Sequence, residues 1–167
     1  MTENILIVLV GLPGTGKSTF CSRLPRFTTV SSDDHIEARA KAEGKTYTEV
    51  FKSAVKAATR QVEVDADTAK SLGQDVIWDQ TNLSVEKRKK ILDKFEDYVK
   101  ICVTFDIPDN WMQRLYKRAG EEGKYIPFGI LCQMRDNLEP PTYSEGFDYI
   151  CSHDKFDNIL MDTRVSD

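Results

Sequence analysis

Residues 11–18 read Gly-Leu-Pro-Gly-Thr-Gly-Lys-Ser, a complete GxxxxGK[ST] pattern set directly behind the apolar run Ile5-Leu6-Ile7-Val8-Leu9-Val10. No other stretch constrains the fold as tightly, because such a loop requires a buried strand to enter it and a helix to leave it. Gly11, Gly14 and Gly16 let backbone N–H groups turn inward around phosphate oxygens, and Lys17 brings a point charge for β- and γ-phosphates. The Ser18 hydroxyl is a candidate Mg²⁺ ligand, and the helix starting near Lys17 adds its positive end. Gly11, Gly14, Thr15, Gly16, Lys17, Ser18 and Thr19 are therefore the expected contacts to a bound nucleotide. A Gly-rich turn with an exposed lysine is the competing account, and the strand–helix context argues against it.

Beyond the loop, short apolar runs alternate with longer amphipathic stretches, the pattern of a parallel sheet wrapped by helices. Strands are predicted at 4–10, 27–31, 75–79, 99–106 and 157–161. Helices are predicted at 17–24, 47–72, from Ser84 to Phe95, 108–119 and 127–138. Val50, Val55, Ala58, Val62 and Ala66 recur at helical spacing in the second of these, and Gly73 ends it. The fold class is thus α/β, a three-layer sandwich with a central parallel sheet of four to five strands, helices on both faces and a helical lid. One domain is expected over residues 1–167, with the lid at about 114–127 and the polar loop Ala119–Lys124 as its mobile part.

Composition removes several alternatives. The chain has 167 residues with 23 basic and 27 acidic side chains, a formal charge of −4, so no global positive field draws in nucleic acid. Cys21, Cys102, Cys132 and Cys151 form no CxxC pair, and His35 and His153 stand apart, which argues against zinc and a disulfide framework. The short apolar start lacks a basic flank, so a signal peptide or membrane span is not expected, and a reduced cytoplasmic protein is. Asp65-Ala66-Asp67-Thr68-Ala69 falls inside a helical pattern and departs from a phosphatase DxDxT motif at its last position.

Polar residues cluster where predicted strands end. Ser31-Ser32-Asp33-Asp34 follows the second strand, at the sheet edge where open α/β folds bind ligands. Asp33 is the candidate to take a proton from an attacking hydroxyl; Asp34 is a candidate acceptor contact or a helix N-cap. The third strand ends in Asp79-Gln80-Thr81-Asn82, where Asp79 could hold Mg²⁺ or support Ser18, and Thr81 and Asn82 could bond the acceptor. Arg114 and Arg118, spaced i, i+4 on the helix entering the lid, are candidates to stabilise transferred negative charge, although solvated helix arginines are common.

Together these motifs resemble the kinase domain of bacteriophage-type 5′-hydroxyl polynucleotide kinases, small P-loop kinases, over most of the chain. The resemblance rests on Gly11–Thr19, on Ser32-Asp33-Asp34, on Asp79-Gln80-Thr81-Asn82-Leu83 with one residue inserted, and on Lys117-Arg118 onward to Pro127. A late segment, Pro141-Thr-Tyr-Ser-Glu145-Gly146-Phe147-Asp148, is similar to one found more widely among small P-loop kinases. The resemblance implies ATP as phosphate donor, Mg²⁺ as cofactor, and a 5′-hydroxyl DNA or RNA end as acceptor in nucleic acid repair, with Lys17, Asp33 and Arg118 catalytic. It also implies a stand-alone kinase, since neither length nor motif provides a 3′-phosphatase domain. Two positions depart. Ile36 stands where the family has an arginine three residues after the base, leaving Arg39 as the nearby candidate for an acceptor phosphate. Glu122 stands at the second lid arginine if Arg118 is the first, whereas the pair Arg114 and Arg118 keeps the spacing in a shifted register. The alternatives are a P-loop kinase of a small alcohol, such as a nucleoside or sugar nucleotide, and a nucleotide-binding regulatory ATPase. No guanine-reading Asn-Lys-x-Asp is present, and no residue excludes GTP.

Overall fold

The computed structural model describes residues 3–165, with side chains described through Leu160. The first and last two residues of the expected 1–167 domain lie outside the described residues. Five strands, β1 (Ile5–Val10), β2 (Thr28–Val30), β3 (Val76–Trp78), β4 (Val99–Thr104) and β5 (Tyr149–Ser152), form one parallel sheet in the order β2-β3-β1-β4-β5. Seven helices accompany them: α1 (Lys17–Ser22), α2 (Ser32–Glu43), α3 (Tyr47–Ser71), α4 (Val85–Lys94), α5 (Trp111–Glu122), α6 (Phe128–Asn137) and α7 (Phe156–Val165).

Every residue of β1 is buried, because the strand is central and covered on both faces. Its period-2 alternation divides the core. Leu6, Val8 and Val10 join Val62 and Ala66 of α3, Ile91 and Leu92 of α4, and Trp78, Phe95 and Phe147 on one face. Ile5, Ile7 and Leu9 join Phe20 of α1, Phe27, Phe105 and Phe156 of α7 on the other. A three-layer α/β sandwich results.

The chain leaves β1 for β2 and β3 on one side of it, then crosses to β4 and β5 on the other. That reversal opens a crevice at the carboxyl ends of the strands beside β1. The ends of β1, β2 and β3 deliver residues 11–18, Ser31–Asp34 and Asp79–Asn82 to it.

One predicted strand is corrected. Residues 157–161 belong to α7, where Phe156, Ile159 and Leu160 take helical i, i+3, i+4 spacing against the core. The fifth strand lies earlier, at Tyr149–Ser152, and owes its conformation to pairing with β4 from Ile101 to Thr104. The lid also differs: α5 continues through Glu122, and Gly123 ends it with φ 65°, so the irregular segment begins there and not at Ala119.

Candidate active site

The phosphate loop is fixed both from outside and from within. Gly11 N–H donates to the Thr81 carbonyl at 3.2 Å, and the Thr15 hydroxyl donates to the Leu12 carbonyl at 2.7 Å. A Cβ on Gly11 would lie 2.9 Å from that of Phe105, so this glycine is required by close approach to the end of β4. Gly14, at φ 76°, faces Leu115 of α5, and Trp111 Nε1–H donates to the Pro13 carbonyl at 2.6 Å. The lid helix is thereby seated on the loop. Gly16 (φ 107°) caps α1 without any side-chain bond, which leaves the first-turn amides of α1 without a side-chain acceptor. Ser18 and Thr19 are exposed on that turn.

The Lys17 ammonium donates to the carbonyls of Gly11 and Leu12 at 2.7 and 3.0 Å. Burial lowers it from 10.5 to about 8 against the opposing pull of Asp79 and Asp33. Burial likewise raises Asp79 from 3.8 to about 6; Lys17 opposes this, whereas the negative charges of Asp33 and Asp34 reinforce it. Cys21 stands beside Asp79 and is pushed up to about 12 by burial and by that carboxylate, which makes it an inert thiol. The charges of Asp79 and Asp33 thus reach one buried cation, and groups perturbed in this way are often functional. Among the described residues no three or more His, Cys, Asp or Glu side chains converge to hold a metal directly. Ser18 is exposed, and its hydroxyl together with the Asp79 carboxylate offers the hard oxygen donors that suit a largely hydrated cation such as Mg²⁺.

A pH profile follows from these shifts. Asp79 is ionised only above about pH 6 and Lys17 cationic only below about pH 8. In kcat/KM for the nucleotide, which reports the free protein, we expect an acid limb near the first and an alkaline limb near the second. A flat profile up to pH 9.5 would show that the charge on Lys17 is not used. The linkage has a cost in stability. The raised Asp79 destabilises the fold as pH rises from its unfolded value of 3.8 to about 6, and the lowered Lys17 destabilises it below about 8, with relief toward 10.5.

Asp33 and Asp34 occupy the first turn of α2, whose N-cap is Ser31. Neither is the cap. The Tyr47 hydroxyl donates to Asp33 Oδ1 at 2.6 Å, a contact that no spacing in the sequence announces. Arg118 is half-buried, 3.6 Å from Glu122, and its positive charge is felt at both Lys17 and Tyr47. Arg114, one turn earlier, is exposed. The far end of the lid returns to the α2–α3 pair: the Gly123 carbonyl accepts from Thr48 N–H at 3.2 Å and Thr48 Oγ1 at 2.8 Å. Lys124 pairs with Glu37 of α2. A cleft of about 280 Å³ lined by Lys41, Lys45, Tyr47, Glu122 and Lys124 opens there.

Two expected acceptor contacts, Asn82 and Arg39, already have partners within the protein. Asn82 is fully buried at φ 49°, and its amide donates to the carbonyls of Leu9 at 2.7 Å and of Trp78 and Gln80 at 3.3 Å. It ties the end of β3 to β1 and does not face an acceptor; Thr81 beside it is half-buried. Arg39, exposed, donates to Glu43 one turn on in α2 at 2.9 Å and to the Ser53 carbonyl of α3 at 3.2 Å. The neighbouring Ile36 is buried in that same interface.

A family model described as an AAA domain matches residues 6–141. Among solved structures, a protein from Chloroflexus aurantiacus provisionally named a kinase matches with a TM-score of 0.73 and 18% identity, covering 99% of this chain and 98% of that one. A chain of the Pnkp1/Rnl/Hen1 RNA repair complex matches with a TM-score of 0.65 and 26% identity, over 83% of this chain but only 45% of that one. Shikimate kinase from Acinetobacter baumannii matches with a TM-score of 0.55 and 22% identity, over 94% and 91%. The fold is that of P-loop kinases. No helix among the described residues is long and apolar enough to cross a membrane.

Proposed function

The chain belongs to the AAA-domain family matched over residues 6–141, and from that premise we propose that it transfers the γ-phosphate of ATP to a 5′-hydroxyl of a DNA or RNA end. One observation carries this reading: Asp33, with Tyr47 on one carboxylate oxygen, lies close enough to Lys17 to raise its proton affinity. A nucleotide switch needs no such group opposite its phosphate loop. The likeness to a chain of an RNA repair complex supports the choice of acceptor.

In this mechanism residues 11–19 hold the phosphates, and Lys17 leaves its own carbonyl partners to meet β- and γ-oxygens. Ser18 and Asp79 would hold Mg²⁺, which when bound neutralises charge on the phosphates. Asp33 orients the acceptor hydroxyl for in-line attack and takes its proton. Arg118, on a helix seated on the loop through Trp111, stabilises the charge on the transferred group.

Incubation with γ-labelled ATP and a 5′-hydroxyl oligonucleotide tests the proposal. Label should appear on the oligonucleotide; ATP hydrolysis without transfer would overturn it. A second reading, a small alcohol acceptor, is favoured by Arg39 being engaged with Glu43 and Ser53, since no arginine is then free beside Asp33 on α2 for an acceptor phosphate. Salt separates the two. Oligonucleotide binding that grips several phosphates weakens steeply with ionic strength, whereas binding of a small acceptor changes little.

A further inference from the structure

We propose that Tyr47 is a positioning residue for Asp33 and that Lys124, at the end of the lid, holds Tyr47 in that role; the inference rests on Asp33 being the proton acceptor. Tyr47 opens α3, and the capping box of Thr46 and Glu49 fixes the turn that carries it. Its hydroxyl donates to Asp33 Oδ1 at 2.6 Å. A phenol has one proton to give, so Oδ2 stays available to an acceptor hydroxyl while the carboxylate is kept from rotating. Burial, and then the Asp33 charge, raise the Tyr47 phenol well above its ordinary value of 10, so it remains a donor throughout the working range.

The ring is itself held. Phe51 packs against it at 5.7 Å between centroids, and the Lys124 ammonium sits 4.8 Å above its face. Lys124 is only 11% exposed and cannot wander, because it pairs with Glu37 and follows the Gly123 carbonyl bonded twice by Thr48. Gly123 has no room for a side chain: a Cβ there would lie 2.6 Å from that of Thr46. The end of the lid is thereby fitted against the residue that caps the Tyr47 helix. Orientation of Asp33 becomes conditional on lid docking, and the segment from Trp111 to Lys124 reaches both halves of the site, Trp111 on the phosphate loop and Lys124 on Tyr47. The groups facing Asp33 are Lys17 of α1, Asp34 of α2, Tyr47 of α3 and Asp79 after β3.

The test compares Tyr47→Phe, Lys124→Met, the double variant and Asp33→Asn in the oligonucleotide assay. Tyr47→Phe keeps the ring and its packing, so we expect kcat to fall roughly 5- to 30-fold with KM for ATP within about twofold. Lys124→Met should lower kcat by a smaller factor, and in the Tyr47→Phe background its effect should shrink below about twofold, since it acts through the hydroxyl. An unchanged kcat for Tyr47→Phe, or effects that multiply in the double variant, would overturn the inference. If Asp33→Asn collapses turnover and Tyr47→Phe does not, only the positioning role fails; if Asp33→Asn retains full rate, the reading of Asp33 fails with it. A measurement independent of turnover is the ¹³Cζ tyrosine spectrum. The Tyr47 signal should move on Asp33→Ala, which removes the acceptor, and an unmoved signal counts against the hydrogen bond.

Discussion

Asp33→Asn is expected to lower kcat by about 10²- to 10⁴-fold, the range for loss of a positioned general base, with ATP affinity changed by no more than about threefold. The substitution is close to isosteric. An asparagine oxygen still accepts from the Tyr47 hydroxyl, so the first turn of α2 and the 2.6 Å contact should survive. What is lost is the capacity to take a proton and one negative charge near Lys17. Because the proposed contacts to ATP are residues 11–19 and not α2, the loss should belong to the transition state and appear in kcat. Single-turnover kinetics with calorimetric ATP binding would separate the two. A fall of less than tenfold would show that Asp33 only orients the acceptor or plays no part.

Arg88→Ala should destabilise the fold by about 3–5 kcal/mol, the cost of leaving a buried charge unpaired. Arg88 and Glu145 side chains are 0% and 4% exposed, joined at 2.7 Å through Nε and at 3.2 Å through Nη2. The guanidinium also donates to the Asn82 carbonyl at 2.9 Å. One removal therefore strands the Glu145 carboxylate and loosens the left-handed turn at Asn82 that ends β3 beneath the phosphate loop. At about 2–4 °C per kcal/mol for a chain of this size, the melting temperature should drop by roughly 6–20 °C. Arg88→Met with Glu145→Leu should recover part of the loss, since no charge is then left buried. A single-variant loss under 1 kcal/mol would refute the account. Acid titration gives a second check. Burial alone would raise the Glu145 carboxyl, but Arg88 and the Thr142 N–H hold it below its ordinary 4.5. The pair's contribution is present above that value and is lost as pH falls through the lowered one.

The buried pair also shows why a polar strand end is ambiguous in sequence. Thr81 and Asn82 stand at a strand end among polar neighbours, which looks like an acceptor pocket. The Thr81 carbonyl accepts from Gly11 N–H, the Asn82 amide donates to the Leu9 carbonyl of β1, and the Asn82 carbonyl accepts from the Arg88 guanidinium six residues on. The late Pro141–Asp148 segment, recognisable as a family feature, acts through Glu145 on Arg88 and through Asp148 Oδ2, which accepts from Lys100 N–H at 2.8 Å between β4 and β5. Residues 149–152 are short, half-buried and at the sheet edge, so periodicity did not reveal a strand that pairing with β4 creates. Residues 157–161 were apolar enough to suggest one, and their i, i+3, i+4 spacing from Phe156 was the signal overlooked.

The sequence by itself determined the phosphate loop, the parallel α/β class, the strands and helices up to β4 other than α2, and the candidacy of Lys17, Asp33 and Arg118. Each depends on short-range rules: glycine at a turn, a fully apolar run for a central strand, carboxylates at a strand end. Tertiary structure alone decided that Asn82 and Arg39 are tied to the scaffold, that Tyr47 grips Asp33 from 14 residues away, and that Arg88 meets Glu145 across 57. The physical reason is that a side chain's partner is set by where the sheet order and helix packing bring the chain back. A polar residue written at a strand end reads the same whether it faces a ligand or a buried carbonyl.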